Sequence, residues 1–278
     1  MSYGLPYCGS KSRIADKILD VLPAGNRFVD LFGGGFAMSH AALKRFPRVW
    51  YNDGDPICVQ YVRGALSGAY RGTPRWVSRE KFARLKDTDP IVRYCWSFGN
   101  RGGEYCFARD IEELKHAAFS WVTLGQPFSR AGVDLRGAPP VGDWAARYDF
   151  WQARVGDAIK LQSAGSLKRI QMLEPISRIE RIQITCSDYR DYAYSEGDVV
   201  YLDPPYQGTR EYAKSGFDHG EFWRWAAAFP CFISSYGAPA NFKAIACFPV
   251  RSLYSASGNS AMRYEKVFAS PAAILRFF

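Results

Sequence analysis

The sequence predicts an α/β fold that is interrupted by a mostly helical insertion, and three observations carry this prediction. A strand, a glycine turn and a helix follow one another between residues 27 and 46. Strand-like runs become rare between about residues 62 and 182, and strand patterning returns after that segment. We therefore predict one α/β domain formed by residues 1–61 and 183–278, with a smaller, mostly helical domain at residues 62–182.

The first part of the predicted α/β domain begins with a strand over residues 27–32. Three glycines, Gly33 to Gly35, end this strand, and a helix follows over residues 36–46. A second strand over residues 49–52 ends in Asp53, and Pro56 begins the next helix. This order is the start of a βαβ unit.

The middle segment predicts helices over residues 79–86, 109–124 and 145–163. Lys and Arg outnumber Asp and Glu in it, and aromatic and basic side chains alternate between Tyr94 and Tyr105. Most of these charges are expected to be solvated. Three loop arginines, Arg101, Arg130 and Arg136, are predicted to contact nucleic acid.

The last part predicts strands over residues 181–185, 198–202 and 231–236, and a terminal hairpin that pairs residues 250–254 with 265–269. Asp218 and Glu221 form a capping-box pattern before a helix over residues 222–229. Pro239 is predicted to begin another helix that extends to Cys247.

The stretch that follows the strand at residues 198–202 is Asp203-Pro-Pro-Tyr206. Proline has no N–H and a fixed φ, so the two prolines end the strand and hold a stiff extended turn. Asp203 is therefore predicted to lie at the carboxyl end of a buried strand. Ligands bind at that edge in open α/β sheets.

The glycine turn and Asp53 predict a binding site for a nucleoside. Gly33-Gly34-Gly35 matches neither the spaced dinucleotide pattern nor a phosphate-binding loop, because no Lys-Ser or Lys-Thr follows it. Asp53, 18 residues beyond Gly35 (53 − 35), is placed to accept hydrogen bonds from two ribose hydroxyls. The expected ligand is a nucleoside that needs no phosphate.

Composition limits the partners and the compartment. The 278 residues carry a net charge of +9, which favours a polyanionic partner such as nucleic acid over a small-molecule acceptor. The seven cysteines are scattered and the three histidines show no metal-ligand spacing, so we expect reduced thiols, no metal and a cytoplasmic protein. No apolar run is long enough to cross a membrane, and no protein partner is implied.

Several segments resemble one enzyme family. Asp30-Leu-Phe-Gly-Gly-Gly35 near the start and Asp203-Pro-Pro-Tyr206 near the end, 168 residues after Gly35 (203 − 35), resemble the Dam-type N6-adenine-specific DNA methyltransferases of the alpha class. Tyr7-Cys-Gly-Ser-Lys11 resembles the segment that opens that family, and Ser97-Phe-Gly-Asn100 is similar to its phage and prophage branch. These pieces follow the family order over nearly the whole chain.

The resemblance implies a Rossmann-like methyltransferase sheet with helices on both faces and a DNA-recognition insertion. The implied reaction, of the EC 2.1.1.72 type, transfers a methyl group from S-adenosylmethionine to the N6 amine of a flipped-out adenine in double-stranded DNA. The implied setting is the cytoplasm of a bacterium, or of one infected by a phage.

The resemblance also implies the roles of individual residues. Asp203, Pro204, Pro205 and Tyr206 would form the catalytic site. The donor would contact Tyr7 and Lys11 at its methionine end, Asp30, Phe32, Gly33, Gly34 and Gly35 along its length, Asp53 at the ribose and Asp188 at the adenine amine. Tyr212, Phe217 and Arg263 are weaker candidates for the target-base pocket or the DNA backbone.

Two alternatives stay open at this point. The same amine chemistry serves methylation of cytosine N4, of RNA or of protein amides, and four residues do not separate these acceptors. The other alternative is a non-catalytic DNA-binding protein, or a nucleotide-dependent enzyme of another kind, on the same fold. The sequence predicts no particular target site on DNA.

Overall fold

The computed structural model describes residues 3–136, 142–173, 179–206, 216–251 and 262–277. The chain divides into two compact units. The first contains Met1–Gly4, Lys11–Val59 and Arg178–Phe278, and the second contains Leu5–Ser10 and Gln60–Ser177. Each unit is described by itself below.

The first unit is a mixed α/β structure. Its strands are β1 (Arg27–Asp30), β2 (Arg48–Asn52), β5 (Ile182–Thr185), β6 (Asp198–Leu202), β7 (Cys231–Ser235), β8 (Lys243–Arg251) and β9 (Met262–Ala269). Its helices are α1 (Ala15–Asp20), α2 (Ala37–Ala42), α9 (His219–Ala226) and α10 (Pro271–Phe277), and α3 (Pro56–Leu66) begins in it. Strands and helices alternate from α1 to α3, as the sequence predicts. After the second unit the alternation is incomplete, because among the described residues no α-helix separates β5 from β6 or β7, β8 and β9 from one another.

These seven strands form one sheet in the order β5-β2-β1-β6-β7-β9-β8. Neighbouring strands from β5 to β7 are parallel, and β9 is antiparallel to both β7 and β8. The chain moves from β1 toward β2 and β5, then returns to place β6 on the other side of β1. The order in which strands are added to the sheet therefore reverses between β1 and β6. This mostly parallel arrangement is consistent with a methyltransferase fold.

Two hydrophobic cores cover the two faces of this sheet. Val199 and Tyr201 of β6 pack in one core with α1 and α2, and Val200 and Leu202 pack in the other with α9. All five residues of β6 are buried. A strand that is buried on both faces is expected to be apolar throughout, which explains the unbroken run that precedes Asp203.

The second unit is mostly helical. Its helices are α4 (Arg79–Leu85), α5 (Pro90–Cys95), α6 (Glu112–Leu124), α7 (Trp144–Arg154) and α8 (Gln162–Gln171). A short antiparallel pair, β3 (Ser129–Arg130) and β4 (Val133–Asp134), lies between α6 and α7. Its interior is rich in aromatic side chains, and Trp96, Trp121 and Trp151 are fully buried.

Two predicted helices differ from the structure. The helix predicted from Pro239 to Cys247 is wrong, because residues 243–251 form β8, which pairs with β9 at the edge of the sheet. An edge strand tolerates Pro249, since the outer row of backbone groups needs no ladder partner. The single helix predicted over residues 145–163 is two helices, and the chain turns between them after Arg154, near Gly156.

Candidate active site

The candidate site lies at the carboxyl edge of the first unit's sheet. β1 leads into the glycine turn and β6 leads into Asp203, and these two strands are parallel neighbours. The strand order reverses between them, which makes this a topological switch point, and ligands bind at such points in open α/β sheets. The topology therefore brings the two segments that the sequence singled out to one edge.

Asp203 lies in a cluster of polar side chains. Its Oδ2 atom accepts a hydrogen bond from Lys11 Nζ at 2.6 Å, and its Oδ1 atom accepts one from the Tyr206 hydroxyl at 3.0 Å. Glu265 of β9 accepts a short hydrogen bond from the same hydroxyl, and its Oε1 atom lies 3.6 Å from Lys11 Nζ. Lys11 Nζ also lies 4.9 Å from the centroid of the Tyr206 ring.

Burial governs the protonation of this cluster. Burial raises the pKa of Asp203 above the ordinary aspartate value, the Lys11 ammonium lowers it, and the Glu265 carboxylate raises it again. Burial also holds the pKa of the Tyr206 phenol well above its usual range. Tyr206 is therefore a neutral hydrogen-bond donor to the two carboxylates at physiological pH.

A cavity of about 320 Å³ adjoins the Asp203-Pro-Pro-Tyr206 turn. Pro204, Pro205 and Tyr206 line it together with side chains that include His219, Trp223 and Tyr236. The Tyr206 and Tyr236 rings pack edge to face with centroids 4.8 Å apart. This volume and aromatic lining suit a flat ring system of small-ligand size.

The glycine turn after β1 is close-packed. A side chain at Gly33 would overlap the Tyr51 ring, where an added Cβ atom would lie 2.2 Å from a ring carbon. Gly34 has a φ of 46°, in the left-handed region that favours glycine. Its carbonyl accepts a hydrogen bond from Tyr51 at 2.9 Å. Gly33 is therefore required for lack of space and Gly34 for its backbone conformation, whatever ligand lies on the turn.

Two further carboxylates lie at this edge. Asp30 is buried and accepts a hydrogen bond from the Ser39 hydroxyl at 2.7 Å, and burial raises its pKa to about 7. Asp53 accepts hydrogen bonds from the backbone N–H groups of Gly34 at 2.9 Å and Asp55 at 2.8 Å, and burial raises its pKa to about 6. The charges of Asp203 and Asp53 also raise the pKa of Asp30, so the three carboxylates form one acidic region.

Asp188 lies after β5 and is held by Arg190. The guanidinium donates to both carboxylate oxygens at 2.9 and 2.7 Å, and this pairing lowers the pKa of Asp188. Arg190 also contacts Glu221 at 3.0 Å. The first strand is predicted to end at Phe32, but β1 ends two residues earlier, at Asp30. The Phe32 ring packs against Tyr189 and Phe222.

The remaining candidates are distributed as follows. Tyr7 belongs to the second unit, where its ring centroid lies 5.2 Å from that of Tyr94. Phe217 packs against Phe32 and His219, and the Arg263 guanidinium lies 5.7 Å from the centroid of the Tyr236 ring. Tyr212 lies outside the described residues.

Sequence reasoning missed Glu265. It is buried in β9, 62 residues after Asp203 (265 − 203), and no local pattern connects the two. One signal was present, since Glu265 is a charged residue that precedes an apolar run in a predicted strand. A charge that is buried in a strand needs partners, and here they are Tyr206 and Lys11.

Two features are absent from the part of the chain that the structure describes. No group of three or more His, Cys, Asp or Glu side chains in this part of the chain could hold a metal ion. No helix in it combines the length and the apolar character that a membrane-spanning segment needs.

Part of the chain is similar to a known protein family. Residues 7–75 match the family model of the D12 class N6 adenine-specific DNA methyltransferases, and no curated protein matches the chain. The matched quarter of the chain contains Lys11, the glycine turn and Asp53. For a methyltransferase of this family, the methyl donor is S-adenosylmethionine and the substrate is DNA. The match makes this part of the chain similar to the N6 adenine-specific DNA methyltransferases, which are enzymes of DNA adenine methylation.

Proposed function

We propose that the protein transfers a methyl group from S-adenosylmethionine to the N6 amine of an adenine that is flipped out of double-stranded DNA. The single observation that carries this proposal is the placement of Asp203. Its partly buried carboxylate lies at the switch point of the sheet, beside an aromatic cavity, and the family match covers the neighbouring glycine turn. The Ser97–Asn100 segment supports a phage- or prophage-like member of the family.

The proposed role of Asp203 follows from the chemistry of an exocyclic amine. Such an amine is a poor nucleophile because its lone pair is delocalised into the ring. Asp203 and the Pro204 carbonyl would accept its two hydrogens, which localises the lone pair on nitrogen. Positive charge develops on that nitrogen during transfer, and each well-placed acceptor is worth about 3 kcal/mol.

The cavity beside this turn is the proposed site of the flipped base. Tyr206 and the other aromatic side chains of its wall would stack on the base, and stacking contributes about 1 to 3 kcal/mol. That amount offsets much of the few kcal/mol that extrusion of a base from the duplex costs. Pro204 and Pro205 fix the turn, so Tyr206 loses little freedom when the base binds.

The donor site is proposed at the glycine turn. When bound, S-adenosylmethionine supplies an electrophilic methyl group on a positively charged sulfur. The residues present fit such a ligand, because Asp30, Asp53 and Asp203 form an acidic region that would repel a phosphate but attract a cation. Asp53 would also hold the ribose hydroxyls, since a carboxylate has about four acceptor sites and two are used by backbone N–H groups.

The second unit, Leu5–Ser10 and Gln60–Ser177, is the proposed DNA-recognition domain, which the sequence predicts over residues 62–182. Its charged residues lie within 60–177 and give 18 Lys and Arg against 12 Asp and Glu, a net charge of +6 (18 − 12). A basic surplus favours contact with phosphates. A role for Tyr7 at the donor stays a prediction from the resemblance.

The decisive test uses labelled S-adenosylmethionine and mixed-sequence DNA, followed by analysis of the nucleosides. We expect label in N6-methyladenine, and label in N4-methylcytosine would instead support the cytosine alternative. The Asp203→Ala variant should lose transfer by a factor of about 100 or more while it still binds DNA. Transfer by this variant at near the wild-type rate would contradict the proposed mechanism.

A further inference from the structure

Glu265 has no assigned role in the proposed reaction, yet it contacts the centre of the site. Only 4% of this residue is exposed, and β9 places it beside the turn that follows β6. Its carboxylate accepts from the Tyr206 hydroxyl and lies 3.6 Å from Lys11 Nζ. A buried carboxylate is costly unless it is paired, so these two contacts need an explanation beyond packing.

The explanation begins with the occupancy of Asp203. Both of its oxygens have partners, since Oδ2 accepts from Lys11 at 2.6 Å and Oδ1 accepts from Tyr206 at 3.0 Å. The proposed reaction requires Asp203 to accept a hydrogen of the base amine. A carboxylate that is held by an ammonium is a weaker acceptor, because the cation already neutralises its charge. Acceptor sites remain on Asp203, but it becomes a stronger acceptor for the amine if it gives up part of its hold on Lys11 or Tyr206 when the base enters.

Glu265 is the alternative partner for both groups. The Tyr206 hydroxyl has one hydrogen, and the two carboxylates share it. Lys11 Nζ lies within ion-pair distance of both carboxylates, so a small movement from Asp203 to Glu265 keeps it paired. Glu265 therefore offers Lys11 a second buried carboxylate within ion-pair distance when the ammonium moves away from Asp203.

We propose that Glu265 is a positioning residue that takes over Lys11 and the Tyr206 hydroxyl as Asp203 turns to the amine of the target base. This inference rests on the proposed function. It assigns to the site a second carboxylate that does not contact the substrate and that acts through Asp203.

The inference predicts a change in the pH profile. The groups that face Asp203 are Lys11, Tyr206 and Glu265, together with Asp30 of β1 and Tyr201 of β6. Among them the Glu265 charge raises the pKa of Asp203. Its removal lowers that pKa, so the acid limb of kcat, where Asp203 becomes protonated, moves to lower pH.

The test measures single-turnover methyl transfer by the Glu265→Gln variant between pH 5 and pH 9. Glutamine keeps the shape and an acceptor oxygen but not the charge. We expect a loss of about tenfold or more in the rate at the plateau, an acid limb at lower pH, and donor and DNA affinities within about twofold of wild type. The matched control is Glu196→Gln, an exposed glutamate of the same unit, which should behave as wild type.

Three outcomes overturn the inference. The first is a Glu265→Gln variant with the wild-type rate and an unmoved acid limb. The second is a loss of rate in this variant without movement of the acid limb, because that result marks a structural role. If Glu265→Gln does not fold, Lys11→Met is compared with the double variant Lys11→Met/Glu265→Gln. The second change should then cost less than about threefold, because Lys11 is absent and the glutamine oxygen can still accept from the Tyr206 hydroxyl. A multiplicative loss, or failure of the double variant to fold, is the third overturning outcome.

Failure of the proposed function gives a different result from failure of this inference. If wild type transfers no methyl group to DNA, the proposed function is wrong. If wild type is active and only the predicted effects of Glu265→Gln are missing, the inference alone is wrong.

Discussion

At the scale of single residues, burial and two neighbouring charges control the protonation of Asp203. The Lys11 ammonium lowers its pKa, whereas burial and Glu265 raise it. Lys11→Met removes the cation, so Asp203 should become ionised only at a higher pH. We expect the acid limb of kcat to move to higher pH, the reverse of the shift expected for Glu265→Gln. A pH series of methyl transfer with saturating donor measures this shift.

The control for this experiment is Lys17→Met, which removes an exposed lysine of α1. It should leave the profile unchanged. Shifts of the same direction in Lys11→Met and Glu265→Gln would contradict the assignment of the acid limb to Asp203.

Asp30 gives a second prediction at this scale, on stability. Its pKa is about 7 in the folded protein, against about 4 in the unfolded chain. Between these values the folded state binds more protons than the unfolded state, so stability decreases as pH rises from 4 to 7. Asp30→Asn removes this contribution, which reaches about 1.4 kcal/mol per pH unit. Urea unfolding at pH 4.5, 5.5 and 6.5 should show a flatter dependence for the variant.

The decrease should not vanish entirely, because burial raises the pKa of Asp53 in the same direction. Asp191→Asn, at an exposed position of the same unit, controls for the substitution itself. An Asp30→Asn variant whose stability depends on pH as steeply as that of wild type would contradict the prediction.

The limits of sequence reasoning are also visible in single residues. Asp203 could be placed at a strand end because an apolar run precedes it and two prolines follow it, and the structure shows this placement. Glu265 could not be placed beside it, because pairing between distant strands brings the two together. The residues around each position do not indicate which strands pair. Arg190, which holds Asp188, was missed although it is two residues away, since spacing alone does not fix a side-chain direction.

At the scale of elements, the start of β6 is fixed by an ion pair. Asp198 is buried and accepts two hydrogen bonds from Arg27 of β1 at 2.8 and 2.7 Å, and one from the Tyr192 hydroxyl at 2.8 Å. This pair ties β1 to β6 at the amino ends of the strands, opposite to Asp203. It therefore sets the register of the two strands that carry the site.

Asp198→Ala should destabilise the first unit by about 3 kcal/mol, because it leaves Arg27 and the Tyr192 hydroxyl without their partner. The cost is at the lower end of the range for breaking a buried ion pair, because Arg27 is partly exposed and water can solvate its guanidinium. Urea unfolding measures the decrease in the free energy of unfolding. At urea concentrations below the unfolding transition, kcat should be unchanged. Glu196→Ala breaks an exposed pair with Arg276 in the same unit and should cost less than about 1 kcal/mol. Equal losses in the two variants would contradict this account of β6.

The wrong helix over residues 239–247 shows where element prediction from the sequence ends. Ala240, Ala244 and Ala246 have good helix propensity, but pairing with β9 determines the structure of this segment. A bulge between Ala244 and Ala246 also breaks the alternation that would have marked a strand. By contrast, β6 and β7 are buried on both faces, so their apolar runs were sufficient.

At the scale of the whole molecule, charge is unequal between the two units. The second unit has a net charge of +6, and the remainder of the chain has +3, from 18 Lys and Arg against 15 Asp and Glu. If the second unit contacts DNA phosphates, its arginines should determine the salt dependence of binding. Each contact adds about 0.9 to the slope of log affinity against log salt.

The short pair of strands β3 and β4 offers a matched comparison of two arginines. Arg136 donates to both oxygens of Asp134, whereas Arg130 forms no ion pair with any described residue. A phosphate that binds Arg136 must compete with Asp134, and one that binds Arg130 has no such competitor. Arg130→Gln should therefore reduce the slope by about 0.9, and Arg136→Gln should reduce it by less.

Titrations of duplex DNA between 50 and 300 mM salt measure these slopes. Arg48→Gln is the control, because this exposed arginine begins β2, at the edge of the sheet opposite to the candidate site, and its loss should leave the slope unchanged. Equal reductions for Arg48 and Arg130 would show that total charge, rather than local contact, sets the binding. A larger reduction for Arg136 than for Arg130 would show that DNA displaces Asp134 from its partner, because only a contact stronger than that ion pair could release Arg136 to a phosphate.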